Sequence, residues 1–137
     1  MLVDSNIIIY AINQDSSKSK VARNFLQKTK VSLEVSHQNI FEAFRVLTHK
    51  QFSNPMKINT AQEEILEAIK NCRIIIPDNV THHLAFALIE KNNLAGNKVF
   101  DAYLAATAIS NGVMEIATDN EKDFKKFGIK VFNPFAT

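Results

Sequence analysis

Short apolar runs alternate along the chain with longer segments whose apolar residues recur at helical spacing. The runs have the length of buried strands, and they are Met1–Val3, Val31–Val35, Arg73–Ile76, Glu115–Ala117 and Ile129–Phe132. They read as nearly continuous apolar stretches, as expected for a parallel sheet that is covered on both faces. Strands that alternate with helices therefore predict an α/β fold with helices on both sides of such a sheet.

The helical segments predict which face of each helix is buried. The predicted faces are Val21, Ala22, Phe25 and Leu26; Ile40, Phe41, Phe44, Leu47 and Thr48; and Ala61, Ile65, Leu66 and Ile69. Two more helices are predicted around Leu84–Ile89 and Ala102–Ile109. An N-cap is expected at Asn59-Thr60, which would put Glu63 and Glu64 in the first turn of the following helix. With no linker and no repeat in the sequence, residues 1–137 are expected to form one domain.

A carboxylate interrupts the apolar start of the chain. Asp4 stands between Met1–Val3 and a second apolar run, Ile7–Ile12. In sheets of this kind, ligands bind outside the carboxyl ends of the strands. Asp4 is therefore expected at the mouth of a site, although a purely structural role is also open, because Asp is a favoured N-cap residue.

Three further stretches place acids at comparable positions. Glu42 lies at the edge of a predicted apolar helix face with Arg45 at i+3, and Asp101 stands at the head of a helix. A group of polar residues follows the fourth apolar run: Thr118, Asp119, Asn120 and Asp123. Each stretch has an ordinary structural explanation, as a surface ion pair, a first-turn acid or a turn. Their common place at one sheet edge favours a shared function.

Crowded carboxylates predict a cation. They repel one another and titrate upward unless positive charge neutralises them. Hard divalent cations take oxygen ligands, and Mg²⁺ typically uses one or two carboxylates with water. We therefore expect Mg²⁺ or Mn²⁺ as the cofactor. Zinc is not expected, because Cys72 and the histidines form no zinc motif; the histidines, His37, His49, His82 and His83, are expected at or near the surface.

Composition adds little to the prediction of protein class and partners. Of 137 residues, 46% are hydrophobic and 22% charged, which is typical of a globular domain. Sixteen Lys and Arg against fourteen Asp and Glu give a net charge of +2, which permits a nucleic-acid partner without requiring one. The single cysteine excludes an intrachain disulfide and is typical of a reducing compartment. Without a membrane-length apolar run or a recognisable signal peptide, a cytoplasmic protein is expected.

Four stretches resemble, in order and spacing, the motifs of PIN-domain ribonucleases, and above all VapC-type toxins of bacterial toxin–antitoxin systems. They are LVDSNIIIYA, NIFEAFRVLT, GNKVFDAYLAATAISNG and IATDNEKDFKKFGIKVFNP, and together they cover essentially the whole chain. The resemblance implies a three-layer α/β/α fold with a parallel sheet of about five strands. It also implies Mg²⁺-dependent endonucleolytic cleavage of RNA, a small antitoxin protein as partner, and a homodimer.

Carried over position by position, the resemblance implies Asp4, Glu42 and Asp101 as the first three acids. At the fourth position the family has Thr, any residue, then Asp or Asn, followed shortly by Asp-Phe. Thr118, Asn120 and Asp123-Phe124 match that pattern, and Asp119 is an extra acid beside them. The fourth carboxylate is therefore Asp119 or Asp123. The family match favours Asp123, but the short reach from the strand favours Asp119, which is therefore the predicted metal-facing acid.

Roles follow from the same resemblance. Asp4 and Asp101 are expected as direct metal ligands. Glu42 and the fourth acid, Asp119 or Asp123, either complete a second metal position or act through water and help to deprotonate the nucleophile. Ser5 and Asn6 are expected to orient metal-bound water, with Thr118 and Asn120 supporting the loop. Candidate contacts to the RNA backbone are Lys18, Lys20, Arg45, Lys50, Lys98 and Lys122.

Other proteins with acids at strand ends fit less well. A haloacid-dehalogenase phosphatase needs a second Asp where this chain has Asn6, the residues of a receiver domain cannot be mapped, and an integrin-type Asp-x-Ser-x-Ser motif is absent at Asp4–Ile8. One alternative stays open, a PIN-like domain that binds RNA or a partner without cutting. The intact acidic positions argue against it. A loop over residues 49–59 carries Phe52, Pro55 and Met56, which either join the core or contact a partner.

Overall fold

The computed structural model describes all 137 residues. In chain order the elements are β1 (Leu2–Val3), α1 (Ser5–Ile12), α2 (Ser19–Lys28), β2 (Glu34–Ser36), α3 (His37–Thr48), α4 (Ile58–Ala68), β3 (Arg73–Ile75), α5 (Thr81–Asn92), α6 (Val99–Ser110), β4 (Glu115–Ala117), α7 (Glu121–Phe124) and β5 (Lys130–Phe132). Short 3₁₀ turns precede α6 at Gly96–Lys98 and follow α7 at Lys125–Phe127. Every predicted apolar run overlaps one of the strands, and all but Val31–Val35, which β2 outruns at Ser36, contain the strand completely.

The five strands form one parallel sheet in the order β3-β2-β1-β4-β5. Helices cover both faces, so the predicted three-layer α/β/α architecture is confirmed. The chain first builds outward from β1 through β2 to β3, then returns to the other side of β1 with β4. The strand order therefore reverses between β1 and β4, and this switch point is where sheets of this type open a crevice for ligands.

Two apolar cores lie on opposite faces of the sheet, because successive strand residues point to opposite sides. Val3 packs with Ile7 and Leu47 in the core formed by α1–α4. Its neighbour Leu2 packs with Leu104, from α6, in the other core. Four small residues of α6 are completely buried: Ala102, Ala105, Ala106 and Ala108. Their size lets α6 approach the sheet closely, which fixes the position of its first turn.

Three predicted core residues are exposed. Phe41 is 68% exposed, because it lies two residues, and so about 200° around the helix, from both Asn39 and Ala43, which face the core. Leu66 is 64% exposed beside buried Ile65 on α4. Val21, on α2, is also exposed. Apolar periodicity located these helices correctly but assigned them buried faces that are too wide.

Two boundaries differ from the prediction. Helix α4 begins at Ile58 with Lys57 as N-cap, rather than at Asn59-Thr60. The Asn59 side chain instead accepts a bond from the backbone N–H of Thr60. Because the helix begins at Ile58, Glu63 and Glu64 lie beyond its first turn. Strand β2 begins at Glu34, because Val31 and Ser32 lie exposed before the sheet.

The loop between α3 and α4 is partly anchored. Phe52 and Met56 pack against the core of α1–α4, whereas Pro55 is exposed. The sequence left a core role and a partner-contact role open for these residues, and Phe52 and Met56 have the core role. His82 and His83 are exposed, as expected. None of the helices has the length and apolar character needed to cross a membrane.

Candidate active site

The ends of β1 and β4 are joined by side chains at the switch point. The Asp4 N–H donates to the Ala117 carbonyl at 3.0 Å, which continues the strand pairing by one residue. Thr118 Oγ1 donates to Asp4 Oδ2 at 2.7 Å. Asn6 Nδ2 donates to the same carboxylate oxygen at 3.3 Å and to Thr118 Oγ1 at 3.2 Å. Residues more than 110 positions apart therefore hold one carboxylate in place.

Asp4 combines a structural role with an unusual charge state. It is the N-cap of α1, and its Oδ1 accepts from the Ser5 N–H at 2.8 Å. The side chain is nevertheless almost completely buried. Burial raises the pKa of Asp4 to about 6, a rise that the negative charge of Glu42 reinforces and that bonds from Thr118 and Ser5 partly offset. A helix cap alone needs no such burial, so the capping explanation does not account for this residue.

Glu42 is held at both oxygens. Ser5 Oγ donates to Glu42 Oε2 at 3.0 Å, and Gln38 Nε2 donates to Glu42 Oε1 at 2.9 Å. Ser5 thus connects the first two acids, with its backbone N–H on Asp4 and its hydroxyl on Glu42. The small polar residues after Asp4, Ser5 and Asn6, orient carboxylates directly.

Asp101 lies in the first turn of α6, where the negative charges of the other acids act on it. Burial is the largest cause that raises the pKa of Asp101 to about 6, followed by the negative charges of Asp123, Asp4 and Glu42; Lys126 acts in the opposite direction. The fold therefore brings three other carboxylates, from the N-cap of α1 and from α3 and α7, close enough to Asp101 for their charges to act on it.

The structure separates the two candidates for the fourth acid. Asp119 faces away, where Tyr10 Oη donates to its Oδ2 at 3.0 Å and Lys18 forms an ion pair with the same oxygen. Burial alone would raise the pKa of Asp119, but the bonds from Lys18 and Tyr10 lower it. Asp123 instead contributes the largest charge effect on Asp101 and accepts a bond from Asn120. This geometry favours Asp123 and does not agree with the sequence-based preference for Asp119.

An open cleft runs past two of the acids. Its lining consists of Gln38, Phe41, Glu42, Arg45, Asn97, Phe100 and Asp101. Arg45 is thus close to the site, as its spacing from Glu42 predicts. Lys98 approaches Asp123, with Nζ 4.0 Å from Oδ1. Of the other basic candidates, Lys18 is paired with Asp119, whereas Lys20, Lys50 and Lys122 are exposed.

Comparison with known proteins gives this geometry a family. Residues 1–130 match the PIN domain. The chain belongs to the PIN domain family. This PIN domain is also 27% identical to Ribonuclease VapC24 of Mycobacterium tuberculosis (strain CDC 1551 / Oshkosh) over 140 residues, which span 98% of this chain and 97% of the relative. The resemblance found in the four sequence motifs is therefore confirmed.

Solved structures agree on the fold. VapBC2 from Rickettsia felis, bound to a DNA fragment from its promoter, aligns with a TM-score of 0.71 and 20% identity over 96% of both chains. A toxin–antitoxin complex from Klebsiella pneumoniae aligns with a TM-score of 0.70 and 23% identity, covering 99% of this chain and 98% of that one. Mycobacterium tuberculosis VapC20, a Sarcin-Ricin loop cleaving toxin, gives 0.70 with 14% identity, covering 93% and 95%. At these identities the likeness concerns the fold.

The donor set of this PIN domain fits a hard divalent cation. No three Asp, Glu, His or Cys side chains converge closely enough to form a complete metal cage. Mg²⁺ does not need one, because it binds through one or two carboxylates and keeps several waters. Asp4 and Asp101 would supply those two carboxylates. Burial, reinforced by neighbouring acids, raises the pKa of both to about 6, so that ionising them is costly unless a cation lies nearby.

Two residues that contact acidic side chains, Gln38 and Tyr10, were not predicted from the sequence. Gln38 lies four residues before Glu42, a spacing that puts two helix side chains side by side and that would have revealed the contact. Tyr10, within the apolar run of α1, carries no comparable signal. Its bond to Asp119 joins positions 109 residues apart, so only the folded structure shows it.

Proposed function

We propose that this PIN domain is a Mg²⁺- or Mn²⁺-dependent endoribonuclease that hydrolyses RNA phosphodiester bonds and serves as the toxin of a toxin–antitoxin module. The observation that carries the proposal is the convergence of acids at the switch point, where Ser5 bonds both Asp4 and Glu42, and Glu42 and Asp101 line one cleft. Asp101 feels the charges of Asp123, Asp4 and Glu42. A protein gains nothing in stability from such crowding, whereas a cation and a phosphodiester would both use it. The similarity to Ribonuclease VapC24 supports the choice of RNA.

The chain's own residues supply binding and proton transfer. Asp4 and Asp101 would hold the cation, which would supply positive charge at the phosphate and lower the pKa of a nearby water. Ser5 and Gln38 fix both oxygens of Glu42, so that this carboxylate is aimed before substrate arrives. Glu42 takes a proton from the attacking water. The water oxygen bonds to phosphorus, the P–O bond to the departing ribose oxygen breaks, and that oxygen takes a proton from solvent water.

Asp123 is the fourth acid of the proposed site, and Lys98 lies beside it. Arg45 lines the same cleft as Glu42 and Asp101. From there it would contact a phosphate of the RNA backbone. The proposed partner is a small antitoxin protein, and the proposed assembly is a homodimer. Solved structures of the same fold in toxin–antitoxin complexes support the antitoxin partner.

One observation favours a second function. Because no complete metal cage is present, a PIN-like domain that binds RNA without cutting it would show the same carboxylates with weak affinity for metal. A metal-titrated nuclease assay separates the two. Purified protein is incubated with a labelled mixed-sequence RNA in EDTA, then with increasing Mg²⁺, Mn²⁺ or Ca²⁺, alongside Asp101→Asn purified identically to exclude a contaminating nuclease. Cleavage that requires Mg²⁺ or Mn²⁺ and is absent in the variant supports the enzyme. Binding without cleavage at every metal concentration supports the binding module.

A further inference from the structure

Two exposed aromatic rings flank the acids of the site. Phe41 directly precedes Glu42, and Phe100 directly precedes Asp101. The rings are 68% and 54% exposed, and both line the cleft that contains the two acids. Neither ring pairs with another aromatic side chain of the protein. Each of these phenylalanines therefore lines the cleft without an aromatic partner from the fold.

A single side chain fixes the two phenylalanine–acid pairs relative to each other. Gln38 Nε2 donates to Glu42 Oε1 at 2.9 Å and to the Phe100 backbone carbonyl at 3.0 Å. The bond connects α3 to the first turn of α6 across 62 positions of sequence. The two rings thus lie on two helices that a hydrogen bond connects at the cleft. Such an arrangement is preorganised and does not rely on flexible loops.

The chemistry of the cleft favours a nucleic acid over a protein as the occupant of these rings. An apolar protein segment on Phe41 and Phe100 would also cover the carboxylates of Glu42 and Asp101, and burying charges without a partner is costly. Unpaired RNA offers base faces that can stack on the rings. A divalent cation bound between its phosphate and the carboxylates would neutralise both. Arg45, in the same cleft, adds a positive group for the backbone.

We propose that Phe41 and Phe100 are base-stacking residues that hold unpaired nucleotides next to the scissile phosphate, with Gln38 as the positioning residue that sets their separation. The proposal rests on the proposed function, since it assigns the substrate-positioning residues of that same site. Stacking on aromatic rings is tolerant of base identity, because every base has a π-face. Stacking requires unpaired bases, so the two rings would select single-stranded RNA over a duplex.

Steady-state kinetics on one labelled RNA strand, free or annealed to its complement, tests the proposal. Phe41→Ala and Phe100→Ala should each raise KM for the free strand roughly tenfold, the scale of one lost base stack, with a smaller change in kcat. Phe86→Ala is the matched control, because Phe86 is 66% exposed and lies outside the cleft. Phe→Tyr at either position should keep KM near the wild-type value, whereas Phe→Leu, which is apolar without a π-face, should not.

A fluorescence measurement reports stacking independently of catalysis. The chain contains no Trp, so Phe41→Trp, Phe100→Trp and Phe86→Trp each introduce a single reporter. In an Asp4→Asn background, which prevents cleavage, single-stranded RNA should quench the first two reporters and leave the third unchanged. Size-exclusion chromatography of the alanine variants tests the competing protein interface.

The outcomes separate this proposal from the proposed function. If wild type cleaves RNA but the alanine variants behave like Phe86→Ala and no reporter is quenched, stacking is overturned and the ribonuclease stands. If no RNA is cleaved but the two reporters are quenched, stacking stands and catalysis fails. Absence of both cleavage and quenching overturns both. A smaller assembly for Phe41→Ala or Phe100→Ala with unchanged KM assigns the rings to a protein interface and overturns stacking.

Discussion

Thr118 Oγ1 donates a 2.7 Å hydrogen bond to Asp4 Oδ2, across 114 positions of sequence. The hydroxyl also accepts from Asn6 Nδ2 and from the Asn120 N–H, so its bonding capacity is fully used. This one hydroxyl links the ends of β1 and β4 and holds the first acid of the site in a fixed direction. It also partly offsets the rise that burial causes in the pKa of Asp4.

Thr118→Val should therefore disturb both the charge and the position of Asp4. Losing the donor raises the pKa of Asp4 further above 6, so the acid limb of the pH–rate profile should move to higher pH. Losing a buried hydrogen bond should also lower the free energy of unfolding by about 1 kcal/mol or more. Thr118→Ser, which keeps the hydroxyl, is the control for both measurements. An unshifted acid limb in Thr118→Val would show that Asp4 does not govern the rate.

The site should make the metal-free protein less stable as the pH rises. Asp4 and Asp101 have pKa values of about 6 when folded, against 3.8 for an ordinary Asp. The folded state thus binds more protons than the unfolded state between these values, so their contribution to stability falls as the pH rises through this window. At about pH 8 in EDTA, Asp4→Asn should be more stable than wild type, by on the order of 2 kcal/mol.

Urea unfolding of wild type and Asp4→Asn across this pH range gives the required difference. Asp15→Asn, at an exposed position, is the control. The stability gap between Asp4→Asn and wild type should widen from about pH 4 to pH 7. A gap that stays constant with pH would contradict the assigned charge state of Asp4.

Divalent metal should reverse this destabilisation. A cation that binds only the folded state raises the free energy of unfolding by mass action, by about 2.7 kcal/mol at a concentration of 100 times Kd. Thermal melts in Mg²⁺ or Mn²⁺ should therefore show a higher Tm than melts in EDTA, and Asp101→Asn should lose most of that rise. An equal rise in wild type and Asp101→Asn would place the metal elsewhere, and no rise at millimolar metal would argue against a preformed site.

The two candidates for the fourth acid should separate by phenotype. Asp123→Asn removes a charge that acts on Asp101 and should abolish most RNA cleavage. Asp119→Asn removes the partner of Lys18 and Tyr10 and should leave cleavage largely intact. Because this ion pair is partly exposed, the loss in stability should be about 1 kcal/mol or less. Lys18→Met should reproduce the Asp119→Asn stability change. Inactive Asp119→Asn beside active Asp123→Asn would restore the assignment favoured by reach along the sequence.

The sequence predicts the fold and the location of the acids because both depend on chain order. A carboxylate directly after a buried parallel strand must lie at the carboxyl edge of the sheet, which places Asp4 without a structure. The direction of a side chain within a loop is different. Asp119 turns toward Lys18, 101 positions away, and nothing local to Thr118–Asp123 encodes that contact.

Helical periodicity has a similar limit. It identifies apolar positions on α3 but does not distinguish a ring that faces the core from one that faces a ligand. Periodicity therefore predicts that Phe41 lies in the core, although it is mostly exposed in the structure. An aromatic residue next to an active-site acid satisfies both patterns, and only its exposure in the fold separates them.

Cleavage of RNA by wild type and Asp4→Asn, compared per folded molecule in saturating Mn²⁺, tests the central claim most directly. Asn keeps the shape of Asp and is an acceptable N-cap, so α1 and the cooperative unfolding transition should be retained. Because the proposed cation ligand is lost, the rate should fall roughly 100-fold or more. A folded Asp4→Asn that cleaves RNA at the wild-type rate would contradict the account and leave Asp4 as a helix cap alone.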